Sequence, residues 1–344
     1  MSKALSKWIA TVGAAALLAS SALTAQAQNA FANSKKVTLR LTSASPAGME
    51  DSKAFTDTAA WLSKETNGTV VLQPFFSSSL FDEIAGMDAA QSGLIDMAVA
   101  CTCNMTKQTK AMLFSDVPYL WKSMDNGRSV WNGEIGNEVR KELTQKLGLK
   151  PVAFTPSGGG YRILWNTQHP IKVPADVKGI KIRTTATPLE QNFWKGLGAI
   201  PTPVDVKEIY SSLQHGLVDA EHLQPVWLTL LKHDEVVKYG TEIQALAVYR
   251  ITVIRQASYD KLDAAQKAAF DKAMKMFEDK AYDYNRSLRA ESLKQVKARG
   301  IPLYEPNAQE MALWRKAGAE FQQSDTVKSL VPRATIDKAM KEQG

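Results

Sequence analysis

Charged and polar side chains recur where short apolar runs of this sequence end. Arg183 follows the run "GIKI", Arg162 opens the run "RILW", and Asn104 comes shortly after "LIDMAVA". A guanidinium pairs with a carboxylate through two parallel hydrogen bonds, and hydroxyls and amides can complete such a site. A single arginine is most often an exposed surface charge, so the inference depends on several of these residues meeting. The chemistry that they favour is recognition of an organic anion.

These positions are predicted to lie at the ends of strands. In open α/β sheets, ligands bind beyond the carboxyl ends of the strands, where hydroxyl and amide side chains of this sequence also fall. Glu83 has an alternative explanation, because the helix dipole favours acidic residues at a helix start, and the tryptophans have one in core packing. The candidate ligand-binding residues are Arg183, Arg162, Asn104, Cys101, Ser45, Thr185, Leu223, Gln224, Glu83 and Trp227.

The elements that must position these residues begin with an alternation of strand and helix patterns. Residues 37–43 and 94–100 are predicted to be strands, while helical spacing covers the stretch that ends at Gly68 and residues 81–92. This order is typical of an α/β layer with a mainly parallel sheet.

A second α/β series starts after the glycine-rich stretch 157–160. That stretch lacks the G-K-[ST] ending of a phosphate loop and leads into a strand, so we interpret it as a tight turn or a flexible crossing between lobes. The repeated pattern predicts lobe I from residues 36–158 plus about 247–280, and lobe II from residues 159–246 plus about 281–344.

A long helix is predicted in the last third of the chain, because no glycine or proline occurs between Asp263 and Arg299. Asp263 with Gln266 matches a capping box, and apolar residues recur at intervals of four and three from Phe270 to Leu288. At ~1.5 Å per residue this helix is about 50 Å long, which exceeds one small lobe. A dimeric coiled coil is the alternative, but the repeat is short for one. We therefore predict a helix laid across both lobes.

The N-terminus, "MSKALSKWIATVGAAALLASSALTAQAQ", has two lysines, an apolar run and an A-x-A site that ends at Ala27. This pattern predicts a signal peptide at residues 1–27 and export to the periplasm. A membrane anchor is the alternative, but the apolar run is too short for one. The whole chain has a net charge of +7, and loss of the two leader lysines leaves +5 without a dense basic block. We therefore expect no nucleic-acid partner.

Motifs for catalysis are missing from the sequence. It contains no G-x-S-x-G elbow, no H-E-x-x-H and no dinucleotide fingerprint before a helix. Glu221 and His222 are adjacent, so they point to opposite faces of a strand and form no dyad. The four histidines show no metal-ligand spacing. We expect no enzyme, no catalytic residue, no metal and no cofactor.

The two cysteines, Cys101 and Cys103, could form a disulfide in an oxidising compartment. Such a small loop is expected to be strained, because side chains at i and i+2 of a strand are parallel and far apart. The sequence therefore favours two reduced, largely buried thiols.

The stretch "YRILWNTQHPIKVPADVKGIKIRTTATP", followed by "LGAIPTPVDVKEIYSSLQHGLVDAE", resembles the solute-binding proteins of TRAP transporters, of the DctP type. "SSSLFDEIAGMDAAQSGLIDMAVA" and "FSDVPYLW" are similar to further segments of that family, so the resemblance covers essentially the whole mature chain. It implies an α/β, two-lobed periplasmic binding protein (type II-like) with a long helix spanning both lobes. It also implies a receptor, expected to be a monomer, that closes on its ligand and hands it to a membrane permease driven by an ion gradient.

The resemblance also implies roles for single residues. In that family the arginine of the K-I-R motif, Arg183 here, makes the principal salt bridge to a ligand carboxylate, and Arg162 adds a second contact. Asn104 and Ser45 are expected to reach the ligand from the other lobe, while Thr185 orients it. A sensory receptor for a membrane kinase and an exported enzyme on the same scaffold remain as alternatives.

Departures from the sialic-acid-binding members indicate a different ligand. Leu223 stands where those members have a ligand-binding asparagine, followed by Gln224, which we expect to orient the ligand. Cys101 and Asn104 align with an acidic and a basic pocket residue, so the pocket is expected to be less charged away from Arg183. We infer a small organic acid, either a monocarboxylate with an apolar or aromatic body or a short 2-oxo or 2-hydroxy acid, and not a large sugar acid.

Overall fold

Two β-sheets organise the protein. The computed structural model describes residues 30–344, so the predicted signal peptide at residues 1–27 lies outside the described residues. The strands are β1 Val37–Ser43, β2 Val70–Phe75, β3 Met97–Cys101, β4 Leu149–Tyr161, β5 Ile163–Asn166, β6 Lys181–Thr184, β7 Ile200–Pro203, β8 Ala220–Leu223, β9 Tyr239–Thr241, β10 Ala247–Arg255 and β11 Leu303–Tyr304. The helices are α1 Glu50–Glu65, α2 Glu83–Ser92, α3 Met124–Asn132, α4 Glu134–Leu147, α5 Pro188–Gly196, α6 Ile209–Gln214, α7 Pro225–Leu230, α8 Gln256–Tyr259, α9 Ala264–Ala298, α10 Ala308–Gln322, α11 Asp325–Leu330 and α12 Arg333–Glu342.

The order of the strands explains how one chain builds two lobes. The first sheet has the order β2-β1-β3-β10-β4 and the second has the order β11-β9-β5-β8-β6-β7. In the first sheet β1 pairs in parallel with β2 and β3, and β10 returns to lie antiparallel between β3 and β4. In the second sheet β6 is parallel to β7 and β8. The chain therefore crosses between the sheets from β4 to β5 and back again before β10, as the predicted two-lobed α/β fold requires.

The helix α9 joins the cores of both sheets. Its capping box is present, because Asp263 Oδ1 accepts the Gln266 N–H at 2.9 Å and Gln266 Oε1 accepts the Asp263 N–H at 3.1 Å. Phe277 packs edge-on against Phe55 of α1 in the first-sheet core, while Val296 lies in a core of the second sheet. The predicted long helix is thus confirmed. Among residues 30–344 no helix is both long and apolar enough to cross a bilayer.

The C-terminal helix α12 packs on the first sheet's helices. Ile336 and Ala339 are buried in the cluster that contains α3 and α4, and Gln343 Nε2 donates to the Leu120 carbonyl at 3.0 Å. The sequence-based division placed residues 281–344 with lobe II, since an amphipathic pattern does not reveal which sheet its apolar face covers. We propose that α12 belongs to lobe I and that the other boundaries of the two lobes are those predicted from the sequence.

The glycine-rich stretch is part of strand β4 and leads from the first sheet to the second, so of the two sequence-based alternatives it is a crossing between lobes and not a tight turn. Strand β4 runs through it, with φ values of +60°, +93° and +88° at Gly158, Gly159 and Gly160. The Gly158 N–H donates to the Glu50 carboxyl group, and the Gly159 N–H donates to Asn285 Oδ1 at 2.8 Å. The positive φ angles let the strand bend towards the second sheet while α1 and α9 hold its amides.

This stretch generates a prediction on stability. Gly158→Ala would place a Cβ 2.4 Å from Trp227 Cδ1 in addition to the left-handed strain. Gly148→Ala, at a φ of +64° with open space around it, carries the strain alone. We expect Gly148→Ala to lower the free energy of unfolding by about 1–2 kcal/mol and Gly158→Ala to lower it clearly more, measured by urea denaturation. Equal losses would show that the contact with Trp227 is relieved without cost.

Candidate ligand-binding site

A cavity of about 480 Å³ lies between the two sheets, a volume typical of small-molecule sites. Residues of the first-sheet side that line it include Ala44, Asp82, Glu83, Ile84, Cys101, Cys103, Asn104, Ser157, Val248 and Arg250. Residues of the second-sheet side include Arg162, Arg183, Thr185, Pro203, Val204, Asp205, Leu223, Gln224 and Trp227. The predicted strand ends therefore meet in one place, and among the predicted residues only Ser45 is missing from the lining.

Arg183 lines this cavity with a guanidinium that has no ion-pair partner among the described residues. It lies near the end of β6, next to Thr202 of β7 and Glu221 of β8, and is 5% exposed. Its Nε donates to the Val204 carbonyl at 2.9 Å, and no residue within 30–344 bonds to its terminal amino groups. Burial lowers the pKa of Arg183 from its usual value. A guanidinium in this position is oriented by the protein but not neutralised by a contact of its own.

Arg162 differs from Arg183, because its charge is already paired. Its Nη1 forms a buried ion pair with Glu190 of α5. The other carboxylate oxygen of Glu190 accepts the Thr185 N–H at 2.9 Å and the Thr185 hydroxyl. Burial alone would raise the pKa of Glu190, but Arg162 in particular holds that pKa at about 2. Arg162 and Thr185, both predicted ligand contacts, thus have an internal partner at the cavity wall.

The remaining predicted residues of the second lobe follow β8. Gln224 is 2% exposed, and its side-chain amide has no partner among the residues that the structure describes. Trp227 donates its indole N–H to Ser157 Oγ at 3.2 Å and turns its ring to the cavity rim near Arg250. Leu223 is buried at the strand end and supplies apolar surface. Gln224 therefore lines this side of the cavity with an amide that no described residue bonds.

On the opposite wall, Glu83 opens α2 and gathers three donors. Its Oε2 accepts Asn104 Nδ2 at 2.7 Å and the Cys101 N–H at 3.0 Å, and its Oε1 lies 2.9 Å from Arg250 Nη2. Arg250 is 1% exposed, and its Nε lies 3.1 Å from Asp51 Oδ2. The first lobe thus lines the cavity with an amide and with a guanidinium that is paired with two carboxylates.

Cys101 and Cys103 form a disulfide, so the expectation of reduced thiols was wrong. That expectation assumed a strand geometry for both residues. Cys101 is the last residue of β3, whereas Cys103 already lies in the 3₁₀ helix Thr102–Lys107, so their Cα atoms are 5.1 Å apart. This distance falls within the range of protein disulfides. The disulfide lines the cavity beside Asn104.

Ser45 and Arg250 show what sequence reasoning misplaced and missed. The Ser45 hydroxyl is buried and donates to Asp51 Oδ2 at 2.7 Å, so it supports the wall without lining the cavity. Arg250 was not predicted, although an arginine inside the apolar run "AVYRITVI" is a detectable signal. A charge in a buried strand needs partners, and here Asp51 and Glu83 supply them.

The adjacent residues Glu221 and His222 do not line the cavity. Glu221 and His222 face opposite sides of β8 as predicted, with Glu221 Oε2 3.0 Å from His233 Nδ1 and the His222 ring edge-on to Trp194. Burial, followed by Arg162, lowers the pKa of His222 to about 3, so this ring is neutral. Across residues 30–344 the structure groups no three His, Cys, Asp or Glu side chains in a way that could hold a metal ion.

The sequence matches the family model for bacterial extracellular solute-binding protein, family 7 (DctP), over residues 42–326. The chain belongs to this family. A solute-binding protein of Roseobacter denitrificans is 31% identical over 232 residues, which are 67% of this chain and 69% of that protein. The 2,3-diketo-L-gulonate-binding periplasmic protein YiaO of Escherichia coli is 30% identical over 237 residues, which are 68% of this chain and 70% of that protein.

A solved structure extends the similarity to the fold. The sugar acid binding protein DctPAm of Advenella mimigardefordensis, in complex with galactonate, aligns with a TM-score of 0.85, covering 90% of this chain and 99% of that chain at 20% identity. The resemblance to TRAP solute-binding proteins of the DctP type, inferred from the sequence, is confirmed. Members of this family are periplasmic solute-binding receptors and not enzymes.

The pair of Arg162 and Glu190 generates a second prediction. Glu190→Gln leaves a buried guanidinium without its counter-ion, so we expect it to lower the free energy of unfolding by about 3–5 kcal/mol. Arg162→Met should cost a similar amount, and the double variant less than the sum of both, because it removes the two charges together. Denaturant unfolding of the four proteins measures this. Additive losses would mean that the two charges do not stabilise each other.

The pKa of Glu50 is shifted in the opposite direction to the pKa of Glu190. Burial, followed by the neighbouring Asp51, raises the pKa of Glu50 from its usual 4.5 to about 8, against smaller lowering effects of the Gly158 N–H and Arg250. Between these two pH values the folded protein keeps a proton that the unfolded chain has released. The contribution of Glu50 to stability is therefore fully present below pH 4.5 and is lost as pH rises towards 8.

Glu50→Gln is neutral at every pH and should remove this dependence. We expect the melting temperature of the variant, relative to the parent protein, to rise steadily as pH increases from 5 to 8. Glu65→Gln, at an exposed position of the same helix α1, is the control for the loss of a negative charge. A difference that stays constant over this range would contradict a protonated Glu50 in the folded state.

Proposed function

We propose that this protein is the periplasmic receptor of a TRAP transporter for a small organic acid, whose carboxylate binds Arg183. The observation that carries the proposal is the guanidinium of Arg183, which is buried at a cavity between two lobes and whose terminal amino groups have no partner among residues 30–344. A carboxylate matches those two donors in number and geometry. Pairing also offsets the cost of burying the charge.

The body of the ligand is proposed from the relatives and the cavity. The Escherichia coli relative is named for 2,3-diketo-L-gulonate, and the Advenella mimigardefordensis structure holds galactonate. Both ligands are hydroxylated six-carbon acids, which a cavity of about 480 Å³ is large enough to enclose. These similarities support a sugar acid or a related carboxylate. They do not support the sequence-based expectations of an apolar or aromatic body and of a ligand other than a large sugar acid.

We propose that binding works by closure and involves no bond chemistry. The ligand first meets Arg183 and Gln224 on the second lobe, and the first lobe then closes over it with Asn104. The bend at Gly158–Gly160 and the helix α9 connect the lobes, so they are the segments expected to absorb the motion. The closed receptor would then deliver the acid to the membrane permease. The alternatives of a kinase-linked sensor and an exported enzyme gain no support from the family.

Arg183→Met is the first test of this function. We expect it to weaken binding of the cognate acid by about 2–5 kcal/mol, or about 30-fold or more, because the carboxylate loses its counter-ion in a desolvated site. The affinity of Arg183→Lys should lie between that of the parent protein and that of Arg183→Met, since a lysine keeps the charge but not the paired donors. Titration calorimetry on an acid found by a thermal-shift screen measures both.

Lys207→Met is the matched control for loss of a cation near the cavity, because Lys207 is exposed in the 3₁₀ helix that follows Asp205. Its affinity should equal that of the parent protein. Circular dichroism and the melting temperature show whether each variant is folded. Unchanged affinity in folded Arg183→Met would disprove the role proposed for this arginine.

A further inference from the structure

The wall opposite Arg183 contains an arginine whose charge is paired with two carboxylates. Arg250 lies between two carboxylates, with Nε 3.1 Å from Asp51 Oδ2 and Nη2 2.9 Å from Glu83 Oε1. All three side chains are at least nine-tenths buried. One positive charge therefore faces two negative charges. An anionic group of a ligand that reached this wall would meet a net negative environment and not a second cation.

The same carboxylate determines how Asn104 is presented. A carboxylate can only accept hydrogen bonds, so the contact of 2.7 Å between Glu83 Oε2 and Asn104 must use the Nδ2 donor. The carbonyl Oδ1 of Asn104 is then directed away from Glu83. It has no partner among the described side chains and backbone groups, and Asn104 lines the cavity. This wall consequently offers the ligand an oriented acceptor.

The two walls differ in what they can recognise. The second lobe presents the donors of Arg183, and the free amide of Gln224 can serve as donor or acceptor. The first lobe presents the Asn104 carbonyl in a negative environment. An acid that spans the cavity therefore meets donors at one end and an acceptor at the other.

On the basis of the proposed function, we propose that Glu83 is a positioning residue. Through Glu83, the first-lobe wall selects acids by the group at the end opposite the carboxylate that binds Arg183. Glu83 turns the Asn104 carbonyl to the ligand and keeps Arg250 neutralised. The favoured class is a hydroxylated acid with one carboxylate, whose far hydroxyl donates to Asn104. Dicarboxylates are disfavoured by charge, and apolar acids are disfavoured because they leave the Asn104 carbonyl unpaired.

Matched ligand pairs test the selection directly. D-Galactonate and galactarate differ only in a hydroxymethyl group against a carboxylate at C6, as D-gluconate and D-glucarate do, and hexanoate has no hydroxyl. Titration calorimetry on the purified protein should show at least one of the two hydroxylated acids bound about tenfold or more tightly than its dicarboxylate and than hexanoate. A dicarboxylate or hexanoate bound as tightly would overturn this inference and leave the role of Arg183 intact. Binding of none of the acids would overturn the proposed function itself.

Variants test the role of Glu83. Glu83→Gln should reduce the preference for the hydroxylated acid over its dicarboxylate by about tenfold, because the wall loses one negative charge and no longer imposes the orientation of Asn104. Glu142→Gln is the matched control, since Glu142 accepts a hydrogen bond from Thr109 in the same lobe but does not line the cavity. It should leave the preference unchanged. A purely structural Glu83 would weaken both acids by the same factor, which is the result that contradicts positioning.

If Glu83→Gln does not fold, Asn104→Leu tests the same inference. It removes the acceptor without leaving Arg250 unpaired. We expect its affinity for the hydroxylated acid to fall about tenfold or more while its affinity for hexanoate is unchanged or rises. Equal losses for both acids in a protein of unchanged melting temperature would contradict the acceptor role of Asn104.

Discussion

The rest of the site depends on the buried guanidinium of Arg183, near the end of β6. The protein orients Arg183 through the Val204 carbonyl, and no residue within 30–344 bonds to its terminal amino groups, so the cost of burying its charge is not offset by a direct counter-ion. A second cation, Arg162, lines the same cavity and would double that cost. Glu190 neutralises Arg162 and is itself held by Thr185. The packing of α5 against β6 thus decides which of two arginines remains available to a ligand.

The first lobe uses an arginine in the opposite way. Arg250 lines the cavity between Asp51 and Glu83, so its single positive charge is paired with two negative charges of the same wall. Glu83 in turn orients Asn104, and the disulfide of Cys101 with Cys103 lies beside that amide. Donors on one lobe therefore face an acceptor on the other. This asymmetry gives the cavity a polarity along which an acid with distinct ends can be aligned.

The connection between the lobes combines glycines at positive φ angles with buried hydrogen bonds. Gly158 and Gly159 adopt positive φ angles inside β4, and their amides bond to Glu50 of α1 and Asn285 of α9. Glu50 keeps its proton near neutral pH because it is buried next to Asp51. The bend is thus held by neutral acceptors from both the first-lobe helix and the long helix, so a change in the angle between the lobes must alter these contacts.

The sequence by itself determined most of the strands and helices, the family, and the position of Arg183 near a strand end. Alternating and helical spacings predicted the strands around the cavity and the capped helix α9, because such patterns reflect local hydrogen bonding and one apolar face. The K-I-R segment placed Arg183 at a strand end. Only the tertiary structure decided that Arg162 pairs with Glu190, that Ser45 supports Asp51, that α12 covers the first sheet, and that Arg250 belongs to the site. These outcomes depend on side chains far apart in the sequence, whose distance is set by how the sheets and helices pack and not by local periodicity.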